Sequence, residues 1–184
     1  MSSVKKETTL VRLAKHGDAD AFGELYAGIA LDLYRFALYQ TGDPVRAQDA
    51  VSDAVLLAFE HMVQLKNADA FRAWMFSILK NCCRDQQKEK AAAMQNLSLE
   101  VLNAEPAAAT DVADGMDLRA ALQTLGDVDR EIVLLSYVGG YNSSEIGEMM
   151  HFKAGAVRTR LARAREKLKN LLSTEEMSCV RKNQ

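Results

Sequence analysis

The densest set of cations in the 184-residue chain lies near its end. In GAVRTRLARAREKLKNLL (155–172), Arg158, Arg165 and Lys169 fall on one side of an apolar row, and Arg160, Arg163 and Lys167 on the other. The row itself, Ala154, Val157, Leu161, Ala164, Leu168 and Leu171, advances by threes and fours, which is the period of one buried helical face. Fixed cations on either side of a buried seam could attract phosphate and donate to guanine edges, or could serve only to solvate a core helix. The residues just before them favour nucleic acid. Asn142 and Glu145 have capping-box spacing and start a helix over 143–150. Gly147 leaves room for two helix axes to pass closely, and a short turn follows, as in a helix-turn-helix. The next helix opens on small or polar residues (Ala154, Gly155, Ala156, Thr159), so its first turns suit a major groove about 12 Å wide. Lys153 to Arg160 are placed to read bases, and Arg163, Arg165 and Lys167 to meet backbone phosphate or a protein partner.

Two other stretches carry chemistry. FRAWMFSILKNCCRDQQK (71–88) sets Phe71 and Trp74 among Arg72, Lys80, Arg84 and Lys88, with Asn81 and Asp85 one turn apart. This pattern fits unpaired bases stacked along a cationic track, and it also fits aromatics buried in a helical core. In VRAQDAVSDAV (45–55), Asp49, Ser52 and Asp53 form either a solvated face or an acidic docking strip. No phosphate-binding GxxxxGK, no GxSxG and no HExxH occurs, and no enzyme is expected. Cys82 and Cys83 are adjacent and Cys179 is distant, while His16, His61 and His151 are scattered. Neither a disulfide, a metal site nor a cofactor is expected from that spacing.

The elements that must position these residues read as all-α. Two prolines, few aromatics and long runs of Ala, Leu, Glu, Lys and Arg favour helix over sheet. In the first domain, 1–90, a short helix ends at Gly17. Asp18 caps a longer one whose stripe is Phe22, Leu25, Tyr26, Ile29, Leu33 and Phe36. A third helix starts from Asp43 with Pro44 in its first turn and runs to about Leu65, and a fourth starts at Asn67 or Asp69. Residues 91–115 hold no Lys or Arg and four acidic residues, and read as a flexible acidic linker with a short helical piece around Leu97 to Leu102. The second domain, 116–172, has two helices before the helix-turn-helix, and 173–184 is a frayed tail. Charge is uneven: residues 1–90 hold 12 Lys/Arg and 12 Asp/Glu, 91–129 hold 1 and 7, and 130–184 hold 10 and 6. The N-terminus leads into no apolar signal segment and no stretch suits a membrane span, so a cytoplasmic protein without membrane insertion is expected.

Taken together, these stretches resemble bacterial RNA polymerase sigma factors of the sigma-70 family, in the extracytoplasmic-function group that has only regions two and four. RAQDAVSDAVLLAF is similar to the region-two helix that docks on the coiled coil of the polymerase β′ subunit. Asp49 is the family's residue there, and Gln48, Ser52 and Asp53 stand where Glu, Gln and Glu are usual. FRAWMFSILKNCCRDQQK matches the family at Phe71, Trp74, Ile78, Asn81 and Asp85, with Lys88 in place of Arg. The resemblance implies that this helix and the loop before it, which contains Asn67, capture the melted strand of the minus-ten element. GAVRTRLARAREKL matches region four at Arg160, Arg163 and Arg165, with Arg158 at a Lys position, and implies reading of the minus-thirty-five element. Ala156 replaces a frequent Thr, and His151 stands at the usual Gly of the turn, where His tolerates a left-handed conformation better than a β-branched residue would. The implied partners are core RNA polymerase through its β and β′ subunits, promoter DNA as duplex and melted strand, and an anti-sigma factor. The implied function is promoter recognition, DNA melting and transcription initiation. A stand-alone helix-turn-helix regulator with an N-terminal dimerisation or sensing domain, and a helical adaptor without a DNA role, are the alternatives.

Overall fold

The computed structural model describes residues 3–96 and 113–182, with side chains described for 6–89 and 118–172. Its helices are α1 (Ser3–Lys15), α2 (Ala19–Ala27), α3 (Ala30–Thr41), α4 (Pro44–His61), α5 (Phe71–Asn96), α6 (Ala113–Gln123), α7 (Asp127–Tyr137), α8 (Ser143–Met150) and α9 (Ala154–Lys182). No strand occurs among the described residues. The expected helical piece at Leu97 to Leu102 lies outside them.

Local signals set the helix ends. The Asp18 carboxylate accepts from Ala21 N–H at 2.9 Å and starts α2. Asp43 accepts from Val45 N–H at 2.8 Å and Arg46 N–H at 3.3 Å, and Pro44 supplies the first residue of α4, where a missing N–H leaves no bond unmade. Gly42, at φ 72°, closes α3 by donating to Leu38 O. The stripe read as one helix from Asp18 is in fact two. Gly28 ends α2, and Ile29, at φ −129° and ψ −3°, restarts the chain as α3. The stripe gave no sign of this break, because Phe22, Leu25, Ile29, Leu33 and Phe36 are all buried in the same core on both sides of it. Among the described residues the first unit therefore has five α-helices. α4 stops at His61, and short 3-10 turns at Met62–Gln64 and Ala68–Ala70 lead into α5, with Asn67 capping the second. α5 runs on to Asn96, α6 starts at Ala113 and α9 continues to Lys182, so helix reaches into both ends of the expected linker and through most of the expected tail.

The core of the first unit centres on Phe36, Phe71 and Phe76, with Phe22–Phe71 and Phe36–Phe76 meeting edge to face. Cys82 and Cys83 are free and buried within it, and burial pushes the Cys83 thiol up to about 12. In the second unit Ile132, Leu135, Ile146, Val157 and Leu161 pack together. The two units share one connected apolar core, since α6 and α7 pack on α3. α7 lies between α9 and the first unit, so all six residues from Arg130 to Leu135 are buried.

The helix-turn-helix forms as its spacing predicts. Asn142 accepts from Ser144 and Glu145 N–H, and the Glu145 carboxylate accepts from Asn142 N–H at 2.7 Å. His151 takes the left-handed conformation, φ 59° and ψ 40°, and its N–H closes α8 on Gly147 O. A Cβ on Gly147 would come within 2.5 Å of the Phe152 carbonyl oxygen, so the turn and α9 can approach only a glycine. Gly147→Ala should therefore lower the unfolding free energy of the full chain by about 1–3 kcal/mol in urea titration. Gly23→Ala, which meets nothing within 4 Å, should change it little or raise it by up to about 1 kcal/mol. Equal effects at both sites would contradict the close approach.

Candidate nucleic-acid and partner interface

The apolar row of α9 is anchored as its period requires: Val157, Leu161 and Ala164 are buried, and Leu168 packs against them. The cations beside it divide into two groups. Arg160 donates to Asp129 Oδ1 on α7 at 2.7 Å and lies over the Phe152 ring at 5.5 Å. Arg165 covers Tyr137 at 5.1 Å, and Lys167 donates to the Thr124 carbonyl at 2.6 Å. These three tie α9 to α6, α7 and the turn. Lys153, Arg158 and Arg163 are exposed, and among the described residues they have no ion pair or side-chain hydrogen bond. Gly155, Ala156 and Thr159 share the exposed start of the helix, where the Thr159 hydroxyl donates back to Gly155 O at 3.1 Å. The free positive charge thus sits at the turn end and on the exposed face, with Arg158 on one side of the seam and Arg163 on the other, a distribution that the sequence, with all its arginines alike, does not show.

The cationic stretch of α5 is divided in the same way. Phe71 is 1% exposed and belongs to the core, and Trp74 is half-buried against it. Asn67 remains exposed on that loop. Arg72, Phe76, Lys80 and Arg84 are four residues apart and line one helix face. Each is engaged. Arg72 pairs with Asp32 at 2.7 Å and lies 5.4 Å over Phe76, which meets Tyr141 edge to face. Lys80 donates to the Met149 carbonyl at 3.1 Å, and Arg84 grips Glu131 of α7 through two bonds of 2.6 Å. Burial lowers the Lys80 pKa, with Glu131 acting in the opposite direction. Asn81, Asp85 and Lys88 point elsewhere: all three are exposed, and Lys88 bonds Asp85 at 2.9 Å.

Asp85 instead joins Asp49 and Asp53 of α4, and Glu89 of α5, along a groove of about 580 Å³ floored by Cys82. Gln48 and Ser52 are exposed beside it, with the Ser52 hydroxyl donating to Gln48 O at 2.9 Å. Leu56, 59% exposed, and Phe59 carry the strip on to an apolar groove against Phe22 and Tyr26 of α2. An acidic edge beside exposed leucines suits a basic amphipathic helix. Among the described residues no cluster of His, Cys, Asp and Glu could hold a metal ion, and no helix is long and apolar enough to cross a membrane.

Sequence reasoning passed over Glu131, Asp32, Asp129 and Arg130. Buried Arg130 donates to the carbonyls of Leu122, Gln123 and Leu125, to Asp127, and to Gln40 O across the interface between the units. The one signal was a charged pair heading the apolar run REIVLL.

Two family models match the chain: Sigma-70 region 2 over residues 25–92 and Sigma-70 region 4 over 115–168, together about two thirds of it. The ECF RNA polymerase sigma factor BldN of Streptomyces coelicolor is 29% identical over 170 residues, which cover 89% of this chain and 64% of BldN. The RNA polymerase sigma factor CarQ of Myxococcus xanthus is 29% identical, covering 91% of this chain and 98% of CarQ. The solved structure of CnrH in complex with the cytosolic domain of CnrY superposes with a TM-score of 0.70 at 26% identity, covering 92% of this chain and 98% of that one.

The division among the α9 cations is measurable without DNA. Arg160→Ala should lower the unfolding free energy by about 0.5–1 kcal/mol, since it removes a partly exposed ion pair and a ring contact. Arg158→Ala should stay within about 0.5 kcal/mol of the parent in the same titration. A reversed order would contradict the assignment.

Proposed function

The chain belongs to the sigma-70 family, in its extracytoplasmic-function group, and we propose that it acts as a sigma factor: it binds core RNA polymerase, directs it to promoters and supports melting and initiation. The observation that carries this reading is one chain with a region-two unit, bearing an exposed acidic and apolar docking strip, and a region-four unit whose reading helix keeps its free cations at the turn end. In this reading Gln48, Asp49, Ser52 and Asp53 meet the β′ subunit, and contacts to the β subunit follow from the family. Asn67, Trp74, Asn81 and the cations Arg72, Lys80, Arg84 and Lys88 serve the melted minus-ten strand, with Phe71 and Asp85 acting through the core and the acidic groove. Lys153, Gly155, Ala156, Arg158 and Thr159 read the upstream element, and Arg163 meets phosphate. Arg160 and Arg165 hold the helix that does so. The mechanism is differential binding: trapping unstacked bases offsets a cost of a few kcal/mol each, and the chain itself performs no covalent chemistry. The work is cytoplasmic, and an anti-sigma factor is a partner of the kind that CnrY is for CnrH.

Core polymerase tests the proposal. Added to core enzyme and a promoter library, the chain should produce transcripts that depend on it. Tight duplex binding by the chain alone, with no initiation, would support a stand-alone regulator instead. Within an active holoenzyme, Arg158→Ala should cost about 1–3 kcal/mol on the preferred upstream element and less on others. An equal loss on every sequence would make Arg158 a phosphate contact.

A further inference from the structure

The loop ahead of α5 is pinned at both ends by apolar side chains, since Leu65 and Phe71 are buried in the core of the first unit. Between them Lys66, Asn67 and Asp69 are exposed. The hydrogen bonds within the stretch are local: Leu65 N–H donates to Met62 O, Ala70 N–H to Asn67 O, and Asp69 N–H to Asn67 Oδ1 at 3.1 Å. The last of these occupies Oδ1 and leaves the Asn67 amide its two N–H donors to offer outward. Local bonds shape the two turns without fixing where they stand on the first unit.

A bond from the far end of the first unit does that. The Lys15 ammonium donates to the Leu65 carbonyl at 2.8 Å across 50 positions of sequence, and among the described residues it is the one side-chain hydrogen bond that joins 65–70 to a distant helix. Lys15 is the last residue of α1, where a lysine ordinarily turns back onto the final carbonyls of its own helix. Here it is half-buried and reaches across instead. Val11 and Ala14 bury that end of α1 in the core, and α1 packs on both 3-10 turns, so the amine is delivered from a fixed base.

We propose that Lys15 is a positioning residue for strand capture: by holding the Leu65 carbonyl it sets the loop, and with it the Asn67 amide, where an unstacked base is recognised. The proposal rests on the sigma-factor reading above, which gives Asn67 to the melted strand, and adds to it a residue of α1 that acts through the loop. A lysine that only stabilised the fold would, when lost, weaken binding to every strand alike. A lysine that positions the loop is felt where the base contact is made, because a donor displaced by about 1 Å no longer reaches its acceptor. Its loss costs nothing extra where the base is missing.

Holoenzyme assembled from core enzyme and the full chain tests this by anisotropy. The probes are a fluorescent promoter fragment with its minus-ten segment already melted, and a set in which one base of the melted strand at a time is replaced by an abasic site. The ratio of affinities for intact and abasic fragments, at the position where the parent shows its largest preference, reports the base contact. Lys15→Met, which keeps the length and removes the donor, should lower that ratio about three- to tenfold, the worth of one hydrogen bond. Its binding to the abasic fragment should stay within about twofold of the parent. Lys15→Arg, which keeps a cationic donor, should restore most of the ratio. An unchanged ratio in Lys15→Met would overturn the proposal, and so would an equal loss on intact and abasic fragments or a parent with no preference at any position. Should Lys15→Met fail to fold by circular dichroism, the shorter Lys15→Gln is read in the same way. Core-dependent initiation by the parent chain, run in parallel, separates the two readings. Initiation with an unchanged ratio removes only the role of Lys15, whereas a parent that shows no core-dependent binding to any fragment removes the sigma-factor role and this proposal with it.

Discussion

A carboxylate without solvent must be answered by fixed donors, and much of this molecule is arranged around one such group. Glu131 is the second of six consecutive buried residues of α7. Its neighbours on that helix fill two cores at once, toward α9 on one side and toward the first unit on the other. A buried carboxylate is tolerated only with charge and hydrogen bonds supplied, and Arg84 supplies both from the first unit. Next to it, Arg130 gathers the carbonyls at the end of α6 and reaches Gln40 O across the same boundary. The polar contents of α7 therefore decide how the two units sit together, while its apolar residues build the second unit.

Much of the architecture was legible in the sequence. Asp18, Asp43, Asn142 and Glu145 act locally, through hydrogen bonds to backbone within three residues, and Pro44 through its fixed φ in the first turn, so their types and spacing were enough. The α9 seam was equally clear, because one face of a helix packed on one core imposes its period directly. The break at Gly28 was hidden because core burial continues on both sides of it and keeps the period intact. Glu131 was hidden for another reason: a lone acid in an apolar run gives no indication of its partner 47 residues away. The site was legible at the level of stretches and less so at the level of side chains. The six cations from Arg158 to Lys169 look alike in sequence, yet Asp129, Tyr137 and the Thr124 carbonyl engage three of them.

A family assignment carries residue roles only as far as the surroundings permit. Phe71 matches the family's pattern, and in this chain it is a core residue set edge to face on Phe22. Asp85 matches too, and lies in the acidic groove with Asp49 and Asp53, away from the cationic face of Lys80 and Arg84. α5 thus has two faces of opposite charge, one suited to a basic protein partner and one to a polyanion. One helix can serve polymerase and strand together only if the second unit leaves its cationic face.

In the proposed reading, the two units are held against each other through α7 in the free chain and part when the chain joins core polymerase. The most direct measurement is the distance between probes placed at exposed Asp20 on α2 and exposed Glu148 on α8, read by pulsed dipolar spectroscopy before and after core enzyme is added. The account predicts one short, narrow distance in the free chain, replaced by a much longer one in the complex. The same distance in both, in a complex that initiates transcription, would contradict it.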